Sequence, residues 1–564
     1  MYTNVKIVNC FLLGHKGDFI VISRIFNGLW FNIGKFLETI GEDSSAINFY
    51  YKVILSDQDN FSAFSQIDQI YEKNDEFEEG LVLMDNFLKT FPQCALAWQF
   101  KGFFFAHGGK IEEVDECFKK SLELFKKDLK KNPDVAFKWF YQGLILFYFD
   151  EYDEAIDSYD KSLELNPRYS NAWKNKGYIY NKIEKFDEAL KCFDEALKLK
   201  ANDAATWVGK GIALNKLDEH YKAIACFNRA LNFKSDYLEA YYEKSMTFSD
   251  IKEYDEAIDC CDEILEIDPD EYRALYFIAI FSGRLKKYQD ALDAIEDALD
   301  IDPENPHYWS LKSVTLKNLK RYSEALKSIN KALEIDNEEY YFWSSKGDIL
   351  RKMNKYPEAL EYYDKSLELN PEYSFDWRLK GMLMEEMGDK ESKKCFENAL
   401  KCSNAQIEKD SEDEYILSNK AFALLSLEKF DDALECVNKA IELDPESDFS
   451  LSTKGRILRK LECYEDSLKY FDKAIEIDPE DADWWYEKGR SFCGLKRYDE
   501  SLKMFDESLK LDPIHKEALY AKGILLGELG ETSESGKYIQ RVIDINPEFH
   551  LAQKAMQKLN NDMV

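Results

Sequence analysis

Glycine and proline are scarce in this chain, 24 and 12 residues out of 564. So few turn-formers argue against a sheet-rich fold and leave a helical one. Histidine is rarer still. His15, His107, His220, His307, His515 and His550 are scattered along the sequence. HExxH, GxSxG, Walker and strand-borne GxGxxG motifs are missing, as are CxxC pairs and Cys/His clusters. No enzymatic activity, metal or cofactor is expected. No apolar run is long enough to span a bilayer. The apolar stretches of MYTNVKIVNCFLLGHKGDFIVISRIF are broken by His15, Lys16 and Asp18, with nothing like a small-residue cleavage site. Neither a membrane span nor a signal peptide is expected. Basic charge is also in deficit: 75 Lys and Arg against 108 Asp and Glu give a net −33. That field repels phosphate backbones and anionic lipid heads, so neither nucleic acid nor a membrane is an expected partner.

What is present is self-similarity. From Trp173 the chain runs Gly177, Tyr180, Ala189, Phe193, Ala196; from Trp207 it runs Gly211, Leu214, Ala223, Phe227, Ala230. Steps of 34 residues return a large apolar residue from Trp30, Phe64 and Trp98, through Trp139 to Trp377, then through Leu417, Leu451, Trp485 and Leu519, fifteen times in all. The spacings of three and four put these residues on one face of a first helix. A small residue (Gly177, Gly211, Ser245, Ala279, Ser313, Gly347) admits a second helix at close range. Pro closes the unit at Pro167, Pro269, Pro303, Pro371, Pro445, Pro479, Pro513 and Pro547, where it ends the helix. Neither helix can bury its apolar face alone, and stacked neighbours make one continuous core.

The pattern resembles the tetratricopeptide family, W-x2-L-G-x2-Y…A-x3-F…P, over roughly residues 27–548. The resemblance implies an all-α, right-handed superhelical solenoid of about fifteen antiparallel helix-turn-helix repeats with a C-terminal cap helix, Phe549–Leu559. Two intervals break the period: Trp98 to Trp139 is 41 residues and Trp377 to Leu417 is 40. Both read as second helices lengthened near Leu122–Lys131 and Ala399–Lys409. The expected organisation is a segment of unclear structure (1–26), three repeats (27–135), eight repeats (136–413), four repeats (414–548), and the cap and tail (549–564).

One departure from the family is systematic. The Leu before the small residue is Lys in eleven repeats, Lys176, Lys210, Lys346, Lys454 and Lys488 among them. The second helices carry Asp160, Asp194, Asp262, Asp364, Asp472 and Asp506, and a Lys–Asp ladder is expected. Six of the twelve cysteines (Cys117, Cys192, Cys226, Cys260, Cys395, Cys436) share one slot. They are read as buried thiols too far apart to bridge, although the adjacent Cys260 and Cys261 leave a vicinal disulfide open. Free thiols imply a reducing, cytoplasmic setting.

In the family the concave wall is lined by first-helix positions −2, +1, +5, +8 and +9 from the Trp slot. Read on those slots, the candidate partner-binding residues are Phe103, Phe137, Phe140, Leu144, Phe147 and Tyr148, with Tyr178, Val208, Ile212, Tyr242, Met246, Tyr276 and Ile280 continuing the apolar stretch. Arg273, Arg284, Arg351 and Arg378 follow as a basic stretch. Basic residues outnumber acidic ones on this wall, and arginine there suits carboxylates. The carboxylate clamp used by some members looks for Asn directly after the Gly slot. Here that slot holds Tyr178, Ile212, Met246, Asp348, Arg456 and Arg490, never Asn. The expected function is a scaffold that holds an extended or helical segment of a protein or peptide partner in its groove. The alternative is a regulatory or substrate-selecting subunit of a separately encoded enzyme. Partner identity and oligomeric state are not legible in the residues.

Overall fold

The computed structural model describes residues 16–409, 413–546 and 550–562. Among the described residues every regular element is a helix. Fifteen antiparallel hairpins run from Lys16 to Ile545, each a first and a second helix such as Ser170–Lys182 and Phe186–Leu199. The two long intervals are longer second helices, Ile111–Leu129 with 19 residues and Ser392–Lys409 with 18, where most second helices have 14. A final helix, His550–Asp562, lays Ala552, Ala555, Met556 and Leu559 over the last repeat. Pro547 and Phe549, read as the close of repeat 15 and the start of the cap, lie outside the described residues, as do residues 1–15 of the opening segment. The hairpins form two compact units, Met1–Ile267 and Asp268–Val564, holding repeats 1–7 and 8–15. Within each unit, first helices of successive repeats also pack on one another, for example Ser170–Lys182 on Ala204–Lys216 and Ser374–Glu386 on Glu414–Ser426. This draws them to the inside of the bend.

The small slot and the residue 16 positions later govern each hairpin. Opposite glycine stands a ring: Gly143 with Tyr159, Gly177 with Phe193, Gly347 with Tyr363, Gly455 with Phe471, Gly489 with Phe505. A Cβ on Gly177 would lie 2.7 Å from Phe193 Cε1, inside van der Waals contact, so the ring requires the glycine. Where the slot carries a side chain, the partner shrinks to an aliphatic or a thiol: Ser245 and Cys261, Ala279 and Ile295, Ser313 and Ile329, Ala421 and Val437. Gly523 with Ile539 is the exception. The interior thus keeps its volume while the division between the two helices varies.

Asp68 occupies this small slot in repeat 2, opposite Met84. Its Oδ1 is buried without a hydrogen-bond partner. Burial, reinforced by Glu72, raises its carboxyl from 3.8 to about 7. The folded value exceeds the unfolded one, so the group's contribution to stability is complete below pH about 4 and is lost as pH rises through about 7. Asp68→Asn should therefore raise the local opening free energy of residues 61–90 by about 2 kcal/mol at pH 8 and by little at pH 5. Amide exchange of both proteins at each pH measures this, and an equal difference at the two pH values would refute it.

Tryptophan in the first slot does more than fill space. Its indole N–H donates to the carbonyl six residues earlier, in the turn that joins it to the preceding repeat: Trp139 to Pro133 (2.7 Å), Trp173 to Pro167 (3.1 Å), Trp309 to Pro303 (2.8 Å), Trp377 to Pro371 (2.9 Å), Trp485 to Pro479 (3.0 Å). The bond satisfies a turn carbonyl and fixes the entry angle of the first helix.

The Lys–Asp ladder forms wherever the preceding second helix offers an acid 16 residues back. Lys101 meets Asp85 (2.7 Å), Lys210 meets Asp194 (2.6 Å), Lys312 meets Glu296 (2.8 Å) and Lys488 meets Asp472 (2.5 Å). Lys176 with Asp160, Lys380 with Asp364 and Lys522 with Asp506 repeat the pair. At Lys346 and Lys454 that position is Asn330 or Asn438. Their ammonium groups sit instead over Tyr362 and Tyr470, 4.2 and 4.3 Å from the ring centroids. The carboxylates are half exposed, so each rung contributes at most about 1 kcal/mol.

All eleven described cysteines are free, and the six slot cysteines are buried. Cys260 and Cys261 are both free and buried. Burial pushes the Cys117, Cys192 and Cys260 thiols up to about 11, against the pull of Lys101, Lys176 and Lys244. At neutral pH they are packing groups.

The second unit also makes contacts far apart in sequence. Lys286, in the left-handed turn of repeat 8, reaches Asp478 at 2.6 Å. One repeat on, Lys320 donates to the Leu511 carbonyl at 3.2 Å. Lys516 meets Glu386 at 2.8 Å and bonds the Tyr356 hydroxyl. From the first contact to the second, donor turn and target both advance by about one repeat, and in the third the donor lies on the opposite side, so within the unit repeats 8–11 lie against repeats 13–15.

Candidate partner-binding surface

In the first unit, the inward positions of the first helices carry an apolar row. Phe103 comes from helix Ala95–His107; Phe137, Leu144, Phe147 and Tyr148 from Ala136–Tyr148; Tyr178, Ile212 and Met246 from the three that follow, whereas Tyr242 occupies the +1 slot. Tyr148 and Met246 are 41% and 40% exposed, and the others are half-buried. Rings brace one another along the row. Phe103 and Tyr148 both meet the Phe118 ring edge-on, at 5.5 and 4.9 Å between centroids. Tyr178 packs edge-on against Phe193 and donates to the Ala205 carbonyl at 2.6 Å. The row is therefore rigid, which limits the ordering cost of any contact made on it.

In the second unit, the same positions are charged. Arg273 and Arg284 are exposed, while Tyr276 is half-buried against Tyr308, 5.2 Å between centroids. Asp348 bridges Lys317 (2.7 Å) and Arg351 (2.6 Å). Burial alone would neutralise this carboxyl, but the two cations hold it well below the usual range. Further along, Arg456 and Arg459 each lie 3.1 Å from Glu487, and Arg490 lies 3.9 Å from it. His515 bonds Asp483 (2.9 Å) and lies 3.3 Å from Glu517. Burial opposes its charge, yet the two carboxylates raise it to about 10.

The +1 position does not belong to the free wall. Phe140 is 4% exposed, its ring against Tyr141, Tyr159 and Tyr169. Arg378 is 6% exposed, stacked among Phe375, Phe422 and Phe449, with its Nε donating to Asn419 at 2.6 Å. Burial pulls its guanidinium down to about 10. Gln99, Val208, Ser344 and Ser452 in the same slot are buried too. The +1 side chain points into the contact between neighbouring first helices, so Phe140 and Arg378 are interface residues and not free anchors. Positions −2, +5, +8 and +9 remain on the wall. Arg351 lies there but is committed to Asp348.

Family models for the tetratricopeptide repeat match residues 170–203, 340–373 and 415–447 in one version, 136–169 and 449–481 in a second, and 486–548 in a third. The chain belongs to the tetratricopeptide repeat family. A model described as anaphase-promoting complex, cyclosome, subunit 3 matches residues 250–332 of the array. No curated protein matches the chain. Among solved structures, the APC/C hetero-tetramer Cut9-Hcn1 is similar with a TM-score of 0.56 at 15% identity, over 89% of this chain and 96% of that one. That likeness shows the solenoid fold. YrrB, titled a TPR protein with an unusual peptide-binding site, is 26% identical over 32% of this chain and 92% of its own, with a TM-score of 0.28. MamA from Desulfovibrio magneticus RS-1 is 21% identical over 30% and 95%, with a TM-score of 0.28. At this level the tetratricopeptide array is a protein-interaction scaffold. No described helix is long and apolar enough to cross a membrane, and no described group of three or more His, Cys, Asp or Glu is placed to hold a metal ion.

Proposed function

We propose that the array holds an extended or helical segment of a protein partner against the apolar row of repeats 3–7, acting as a binding scaffold without catalysis of its own. The supporting observation is the braced, half-exposed run from Phe103 to Met246 on successive first helices. Apolar surface in such continuity is uncommon on a free face, and aromatic side chains held rigid are the usual anchors of an interface. The mostly buried free thiols suit a reducing compartment, so the cytoplasm is the proposed location.

A photo-crosslinking residue placed at Tyr148 or Met246 should capture the same partner, and one placed at Leu165, on a second helix, should not. Tyr148→Ala with Met246→Ala should weaken that partner's binding about thirtyfold, almost independently of salt. Capture from Leu165 alone, or unchanged affinity in the double variant, would move the interface off this wall. An enzyme among the captured proteins, its activity altered by the array, would favour the regulatory-subunit reading.

A further inference from the structure

The arginine cluster of repeats 13 and 14 gathers three guanidinium groups around one carboxylate. Arg456 and Arg459 on helix Asp448–Lys460, and Arg490 on helix Ala482–Gly494, share the single carboxylate of Glu487. Even that carboxylate is imperfectly used. Arg456 Nε lies 3.1 Å from Glu487 Oε1 without hydrogen-bond geometry, and Glu487 Oε2 accepts no hydrogen bond from its neighbours. Asp483 acts on Arg456 as well as on His515, and Glu517 flanks His515, so among the described residues Glu487 is the one carboxylate within 4 Å of all three arginines.

Three N–H donors are buried here without a hydrogen bond in the protein: Arg456 Nε, Arg459 Nε and Trp484 Nε1. Orphaned buried donors are costly and call for an acceptor. The cations are also held in place by rings: Arg456 stacks on Phe422 and Trp484, each 5.8 Å to the centroid, and Arg490 on Tyr486, 5.6 Å. Planar guanidinium groups fixed on aromatic faces, with N–H groups left unbonded, suit carboxylate oxygens.

We propose that this cluster is the receptor for the carboxylates of an acidic peptide segment. The proposal rests on the reading of the first-helix wall as the partner face, but uses a different unit and a different chemistry from the apolar row. The net −33 of the chain disfavours a long polyanion such as nucleic acid, whereas a short segment brings only a few charges. Glu487 then acts as an internal competitor, occupying the arginines until the segment's own carboxylate displaces it.

The test uses the full chain with fluorescein-labelled hexaglutamate and hexaglutamine peptides at low and moderate salt. Hexaglutamate should bind at least about tenfold more tightly, with the difference shrinking as salt rises. Arg490→Gln, a change at a partly exposed side chain, should weaken hexaglutamate about tenfold. Trp484→Phe keeps the ring, removes one orphan donor and should weaken it several-fold. Glu487→Gln should strengthen binding several-fold while lowering thermal stability, an opposition that a purely structural role does not produce. Tyr148→Ala with Met246→Ala should leave hexaglutamate binding unchanged even if the apolar row proves idle. Equal binding of the two peptides, weaker binding in Glu487→Gln, or displacement by inorganic phosphate below the peptide's own concentration would overturn the proposal.

Discussion

Gly177→Ala should destabilise repeat 5 by about 2 kcal/mol, and Phe193→Ile in the same chain should restore most of that loss. The new methyl would lie 2.7 Å from Phe193 Cε1 and 2.9 Å from two further ring atoms. The ring has little room to retreat, because it is fully buried and lies so near Gly209 of the next repeat that a Cβ there would stand 2.7 Å from its Cζ. Overpacking of this kind costs about 3 kcal/mol, and the better helix propensity of alanine returns about 1 kcal/mol. Phe193→Ile alone leaves unfilled volume and should cost about 2 kcal/mol. The double variant recreates the pairing of Ala279 with Ile295 in repeat 8. A cycle over the four proteins, read as local opening free energies by amide exchange, should give a coupling of about 2–3 kcal/mol. Additive losses would mean that the hairpin adjusts by shifting helices and that the complementarity between slots is incidental.

That pairing is half legible in the residues. The 34-residue step marks the small slot, and its closeness to a second helix follows from glycine itself. The rule that a ring faces glycine and an aliphatic or thiol faces alanine or serine needs the 16-residue offset between two helices, which only the hairpin geometry reveals. The ladder lysines were legible as a departure from the family, but which of them pair depends on whether the residue 16 back is Asp160 or Asn330. The Trp173 indole reads as apolar surface in the sequence. Its bond to the Pro167 carbonyl is invisible there, and it needs no proline, since Trp207 and Trp343 make the same bond to the carbonyls of Ala201 and Asn337.

The wall was legible as a set of helix positions, and its error lay in one of them. Position +1 falls on the inward side of each first helix, and helical spacing alone cannot tell that side from the contact with the next first helix. Phe140 and Arg378 were placed on the free surface for that reason. The rings that enclose Arg378 include Phe422 and Phe449, supplied by two later repeats. The arginine cluster escaped for a related reason: Glu487, which gathers its cations, sits at +2, a position outside the wall slots of the family.

Contacts between distant repeats leave no mark in any local pattern, and one of them carries the largest expected effect. Lys516→Glu should open the fold-back of the second unit while leaving its hairpins intact. The Lys516 side chain is buried, with Glu386 at 2.8 Å, Glu517 at 3.4 Å and the Tyr356 hydroxyl bonded to it. Burial works against its charge, and Glu517 and Glu386 more than compensate, so the ammonium is held above its ordinary range. A glutamate there would place a third carboxylate beside those two in a site closed to water. Removing one partner of a buried pair typically costs about 3–5 kcal/mol, and reversing its sign costs more. The other contacts of the seam cannot hold it alone. Lys286 with Asp478 is a partly exposed pair worth about 1 kcal/mol or less, and the Lys320 bond to Leu511 is a single surface hydrogen bond. Each hairpin, by contrast, depends on its immediate neighbours, so far-ultraviolet circular dichroism should stay unchanged. Amide exchange should rise together in residues 284–288, 318–322 and 510–516, and nowhere in the interiors of the intervening helices. Lys516→Met, which keeps the stem and lets Glu386 turn towards water, should show a much smaller rise. Protection unchanged in all three segments would show that the seam is held by something other than this lysine.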